Sequence, residues 1–173
     1  MRLAYPQGTH VLRLFNVFPG ALCNTHPCTA GKWKVQPSRL ICKSAPRLLG
    51  VTDVICVYVG GDQLNPTYHS IGDHTEGVTV TFDPTQISFA DLVDFFFTKA
   101  SLTSSCSSSK QYQTGIWWHT AEQEAIVTQK ITDMEERHDW KITIHRGPLT
   151  ESGLYRAEEY HQRFFEKNPG SDW

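Results

Sequence analysis

The chain has 173 residues, of which 39% are hydrophobic, 12% aromatic and 20% charged. That length holds one ordinary domain and excludes two large ones. The apolar content is too high for a disordered chain, no segment approaches the ~18 apolar residues of a membrane span, and a formal net charge of -2 creates no global positive field for nucleic acid or anionic lipid.

The charge is unevenly placed. Residues 1–52 carry seven basic side chains (Arg2, Arg13, Lys32, Lys34, Arg39, Lys43 and Arg47) and no acid, whereas all eighteen acidic residues lie in 53–173. The expected location is cytoplasmic; the acid-free, Arg-bearing start keeps a mitochondrial one open as the alternative. A secretory signal is not expected, because the apolar stretch 11–22 is interrupted by Arg13, Asn16 and Pro19. Five cysteines, an odd number in a chain large enough to fold without staples, point to a reducing compartment. Cys23, His26, Cys28 and Cys42 can be read as a zinc cluster, but CNTHPC is followed by no second closely spaced pair, so the expectation is scattered thiols and no metal.

In chain order, Pro6, Pro19, Pro27, Pro37 and Pro46 interrupt every run in the first 49 residues before it reaches helical length. Those residues are expected to be an atypical, poorly ordered segment, and 50–170 the domain proper. A buried strand is predicted over 51–59 (VTDVICVYV), closed by Gly60-Gly61, and a second over 75–82, where Val78, Val80 and Phe82 alternate. Ser88 caps an apolar helix beginning at Phe89 and reaching about Lys99. The string TGIWWH reads as a short strand, and Thr120 with Gln123 as a capping box for a helix reaching roughly Arg137. A strand over 141–145 and a last helix over 154–167, stopped by Asn168-Pro169-Gly170, complete the order. Paired strands mixed with helices indicate an α+β fold, a two-layer sandwich with a mixed sheet flanked by helices.

Five strings in register resemble the peptide methionine sulfoxide reductases of the A class: VYVGG, NPTYHSIGDHTE, FDPTQISFADLVDFFF, KQYQTGIWWHTAEQ and AEEYHQRFFEKNPG. The resemblance implies the sandwich with a ferredoxin-like core. It also implies thiol-dependent reduction of methionine (S)-sulfoxide in peptides and proteins, a repair chemistry. In such enzymes a Cys thiolate attacks the sulfoxide sulfur, a carboxylic acid protonates the departing oxygen, and two tyrosine hydroxyls hold that oxygen. A second thiol then resolves the sulfenic acid, with thioredoxin as external reductant and no bound cofactor. By motif, Glu76 of GDHTE falls at the acid, Tyr68 of NPTY at the first oxygen-holding phenol and Tyr112 of KQY at the second. His74 is expected to support the loop, and Tyr160 and His161 to tie down the last helix. The expected partners are an oxidised methionine and a thioredoxin-like reductant, and the expected state is a monomer.

The family string GCFWG, which supplies the nucleophile, is absent, and an ungapped register puts Pro37 at its cysteine. Cys42, beside Arg39 and Lys43, is the thiol that could be recruited as nucleophile, since nearby cations favour the thiolate. Cys106, close before Tyr112, is the candidate resolving thiol. Ser107 stands where many members carry an aspartate. Without the first strand and helix of such a sandwich, a sheet edge would be left exposed. The alternative from another class is a catalytically inactive module that binds oxidised methionine through the same three side chains.

Overall fold

The computed structural model describes residues 11–15, 45–99, 115–138, 145–148 and 153–170. Six strands form one sheet: β1 (Val11–Phe15), β2 (Val51–Val59), β3 (Thr75–Phe82), β4 (Gly115–Trp118), β5 (His145–Pro148) and β6 (Leu154–Arg156). Their spatial order is β5-β4-β1-β3-β2-β6. Every pairing is antiparallel except β4 with β5, so the sheet is mixed.

Helices α1 (Phe89–Lys99) and α2 (Ala121–His138) cover one face. Val78, Val80 and Phe82 of β3, spaced by two and therefore on one side of the pleat, meet Leu92, Val93, Phe96 and Phe97 of α1 and Val127 and Ile131 of α2. Phe96 and Leu92 are fully buried, each a side chain whose removal from water is worth about 1.5–3 kcal/mol. A second apolar group, Val57, Val59 and Leu154 with Ile55 and Trp117, has the opposite strand parity in β2.

Both helix starts are capped as the sequence predicts. The Ser88 hydroxyl accepts the Asp91 N–H (3.1 Å), while the Asp91 carboxylate accepts the Ser88 N–H (3.1 Å). The Thr120 hydroxyl accepts the Gln123 N–H (3.2 Å), and the Gln123 side-chain oxygen reaches back to the His119 N–H (2.8 Å). An exposed Lys130–Asp94 ion pair (2.6 Å) links α2 to α1; at the surface such a pair contributes little.

Three expectations change. Within the first 49 residues, 11–15 form an interior strand, its Leu14 opposite Val78 on one side and Ile116 on the other. The slot between β3 and β4 is therefore filled by a strand from the segment expected to be poorly ordered. The strand expected at 141–145 is seen at His145–Pro148, where it pairs in parallel with Gly115–Trp118; 141–144 lie outside the described residues. The expected helix over 154–167 is instead β6, a run of turns, and a short α3 (Phe164–Lys167). Two causes act, one distant and one local: Tyr155 and Leu154 find cross-strand partners in Tyr58 and Val59, and Arg163 adopts a left-handed backbone (φ 50°) that no helix continues through.

Candidate active site

One end of the sheet holds Glu76, and the loop leading into it carries Tyr68 and His74. The C-terminal ends of β1 and β2 meet the N-terminal ends of β3 and β4 there, with Phe15 opposite both Gly77 and Gly115. Glu76 is the second residue of β3, and its cross-strand partner is Tyr58, whose partner on the other side is Tyr155. Glu76, Tyr58 and Tyr155 thus form one row across three strands, and Glu76 is only 7% exposed. Strand parity puts the row on the same face as Val78 and Val80.

The loop 60–74 that delivers β3 into this row is held from within. His74, 0% exposed, accepts the Gly61 N–H at Nδ1 (3.3 Å) and donates from Nε2 to the Gln63 carbonyl (2.8 Å), which fixes the neutral Nε2–H tautomer. The Asp73 carboxylate accepts the N–H groups of Asp62 (3.0 Å) and Gln63 (3.2 Å). Those backbone bonds hold its pKa below the ordinary carboxylate value. Gly61 is needed because a Cβ there would meet the Asp73 carboxylate and the His74 backbone nitrogen, the latter at 2.7 Å. His74 also sets its ring edge-on to Tyr155, 5.4 Å between centroids. The expectation that His74 supports the loop describes what is observed.

Tyr68 is half-buried against Tyr58, Tyr155 and Ala157. Its backbone N–H donates to Glu158 Oε1 (2.9 Å), and the Tyr58 hydroxyl donates to Glu158 Oε2 (2.6 Å). One carboxylate thereby joins the Tyr68 loop to the Glu76 row. Burial alone would raise the Glu158 pKa, but its bonds to Tyr58 and Tyr68 outweigh burial and the net shift is downward. Tyr58 is pushed far upward, first by burial and then by its bond to Glu158, with the negative charges of Glu158 and Glu76 adding to it. Burial also raises Tyr160, followed by the Glu158, Tyr68 and Glu76 charges. The His161 ring lies 5.0 Å from that of Tyr68 and 4.2 Å from that of Tyr160, so both residues belong to the surroundings of Tyr68 and are more than ties for a helix.

Tyr112, Cys42 and Cys106 lie outside the described residues, as do Cys23, His26 and Cys28. Among the described residues no group of three or more His, Cys, Asp or Glu side chains is arranged to hold a metal ion. Cys56, the described cysteine, donates from Sγ to the His161 carbonyl (3.3 Å) on the β2 strand. Sequence reasoning missed Glu158 and Tyr58. A signal for Glu158 was present in AEEYHQ, but reading that string as helix hid the carboxylate's reach across to β2.

The chain matches the family model described as "Peptide methionine sulfoxide reductase" over residues 42–172. It is 37% identical over 130 residues to the peptide methionine sulfoxide reductase MsrA of Haloquadratum walsbyi, an alignment covering 70% of this chain and 74% of that one. Among solved structures it resembles methionine sulfoxide reductase A of Corynebacterium diphtheriae (TM-score 0.65, 24% identity, 95% of this chain and 77% of that one). It also resembles Mxr1 of Saccharomyces cerevisiae in reduced form (TM-score 0.69, 19% identity, 99% and 92%). Mxr1 has further been solved in complex with Trx2, at TM-score 0.55 and 16% identity, covering 91% of this chain and 87% of that one.

Proposed function

The chain belongs to the peptide methionine sulfoxide reductase family, and from that premise we propose how its own residues carry out thiol-dependent reduction of methionine (S)-sulfoxide in peptides and proteins. Glu76 is the acid. The observation that supports this reading is a carboxyl almost closed to water, set in a row with a buried phenol at the sheet end. Such surroundings favour the protonated form, which can give its proton to the sulfoxide oxygen.

Tyr68 and Tyr112 donate hydrogen bonds to that oxygen as negative charge develops on it. A thiolate of this chain attacks the sulfur; the S–O bond breaks with its electron pair on oxygen, which takes the Glu76 proton. Methionine leaves when water, or the released hydroxide, meets the intermediate, and the attacking cysteine becomes a sulfenic acid. A second thiol condenses with it to a disulfide, releasing water, and a thioredoxin-like dithiol, the kind of partner bound by Mxr1, reduces that disulfide. Cys42 as attacking thiol and Cys106 as resolving thiol are the assignments carried from the sequence.

Turnover of a methionine-(S)-sulfoxide peptide with dithiothreitol or thioredoxin tests the whole scheme. Glu76→Gln is expected to lower kcat/KM by about 10²–10⁴, the usual worth of a positioned acid. Five single Cys→Ser variants identify the nucleophile as the one whose loss abolishes turnover with dithiothreitol as well as with thioredoxin. Wild-type rates in Glu76→Gln would remove the acid assignment.

A further inference from the structure

We propose that Tyr160 is a substrate-contact residue of this site: its exposed ring is the wall against which the residue next to the oxidised methionine packs, so that a methionine sulfoxide with an apolar neighbour is preferred to one without. The inference rests on the reading of Tyr68 and Glu76 as the oxygen-holding phenol and the acid, and adds where the rest of the peptide lies.

Three rings from two segments far apart in sequence stand in a row. The Tyr160 and His161 centroids are 4.2 Å apart, and the His161 and Tyr68 centroids 5.0 Å. The row runs from water to the site: Tyr160 is 54% exposed, whereas His161 and Tyr68 are half-buried. Glu158, Tyr68 and Glu76 all act electrostatically on the Tyr160 hydroxyl, so this outer phenol is still close to the two groups that meet the sulfoxide oxygen. The turn that presents the ring is fixed. The His161 N–H donates to the Glu158 carbonyl (3.0 Å) and the Gln162 N–H to the Glu159 carbonyl (3.2 Å), while the Gln162 side chain is bonded to the Cys56 backbone of β2.

A methionine side chain inserted toward Tyr68 and Glu76 leaves its own backbone at the mouth of the site, and the next Cα lies about 3.8 Å along the chain. The neighbouring side chain therefore falls beside the ring that borders the mouth. A phenol already held in place offers an apolar or aromatic side chain a large contact area at little ordering cost.

The test compares two substrates of the full chain with dithiothreitol: an acetylated tripeptide amide with phenylalanine on both sides of methionine (S)-sulfoxide, and the N-acetyl amide of methionine (S)-sulfoxide alone. Tyr160→Ala is expected to lower kcat/KM for the tripeptide by about 3- to 10-fold more than for the single residue, with the difference in KM. Tyr160→Phe, which keeps the ring face and drops the hydroxyl, is expected to retain the wild-type ratio between the two substrates. Calorimetric binding of both substrates without reductant, to Glu76→Gln and to the Glu76→Gln/Tyr160→Ala double variant, reads the same contact without turnover.

Equal losses on the two substrates in Tyr160→Ala would overturn the proposal, as would a loss confined to kcat or a tripeptide that binds both forms of the Glu76→Gln protein alike. Full turnover by Glu76→Gln would instead sink the acid assignment, a result that Tyr160 variants cannot produce.

Discussion

Gln162 completes the β2–β6 ladder with its side chain. Its Oε1 accepts the Cys56 N–H at 2.9 Å, and its Nε2 donates to the carbonyls of Cys56 (3.0 Å) and Ala157 (2.9 Å). A carboxamide presents an acceptor oxygen beside an N–H donor as a peptide group does, with a second N–H to spare, so it takes the place of the strand residue missing after β6 ends at Arg156. Gln162→Ala leaves the Cys56 N–H without this acceptor, a loss of about 1–3 kcal/mol in urea unfolding. Stability within experimental error of wild type would show that the bond contributes nothing.

Gly61→Ala drives a methyl group toward Asp73 and His74. The loop must shift to admit it, with an expected cost of about 1–3 kcal/mol, and the displacement reaches Glu76 two residues beyond His74. Gly147→Ala is the control, since among the described residues nothing lies within 4 Å of a Cβ there. Thermal melts of the two variants should differ clearly, and equal melting temperatures would refute the packing argument.

Acid should weaken this loop through Asp73. Its folded-state pKa is depressed by the Asp62 and Gln63 amides, so its contribution is present above the ordinary carboxylate value of about 3.9 and is lost as pH falls through the lower folded value. Asp73→Asn is therefore expected to be less stable than wild type at pH 7 and to lose less stability on going to pH 3. Urea titrations at the two pH values check this, and parallel losses in both proteins would contradict it.

Arg13→Pro places a residue with no N–H in an interior strand, where Arg13 faces Thr79 on one side and Trp117 on the other. The expected outcome is loss of the cooperative unfolding transition. A variant that still melts sharply near the wild-type temperature would mean that β1 contributes little to the sheet.

Local rules made much of the body legible. The alternation of Val78, Val80 and Phe82 and the capping pairs Ser88–Asp91 and Thr120–Gln123 are short-range signals, and each marks what is observed. Val11–Phe15 was illegible for the opposite reason: five residues among prolines carry little periodic signal, and what makes them a strand is the open slot between β3 and β4. The stretch after Leu154 was misread because a helical spacing of apolar residues competes with partners in β2 that sequence separation hides. At the site, Glu76 and Tyr68 stood out by motif. Glu158 did not, because its value comes from reaching Tyr58, a hundred positions away.

The interior position of β1 has a consequence for biogenesis. Its ladder partners lie at 77–81 and 115–117, so the earliest of these strands to leave the ribosome has no complete berth until β4 has been synthesised. Long-range pairing of this kind slows folding, and meanwhile the open flanks of β3 and β4 are available to other chains. Nascent-chain yield should therefore respond to translation speed between residues 82 and 118, and to chaperones that shield unpaired strands over that interval.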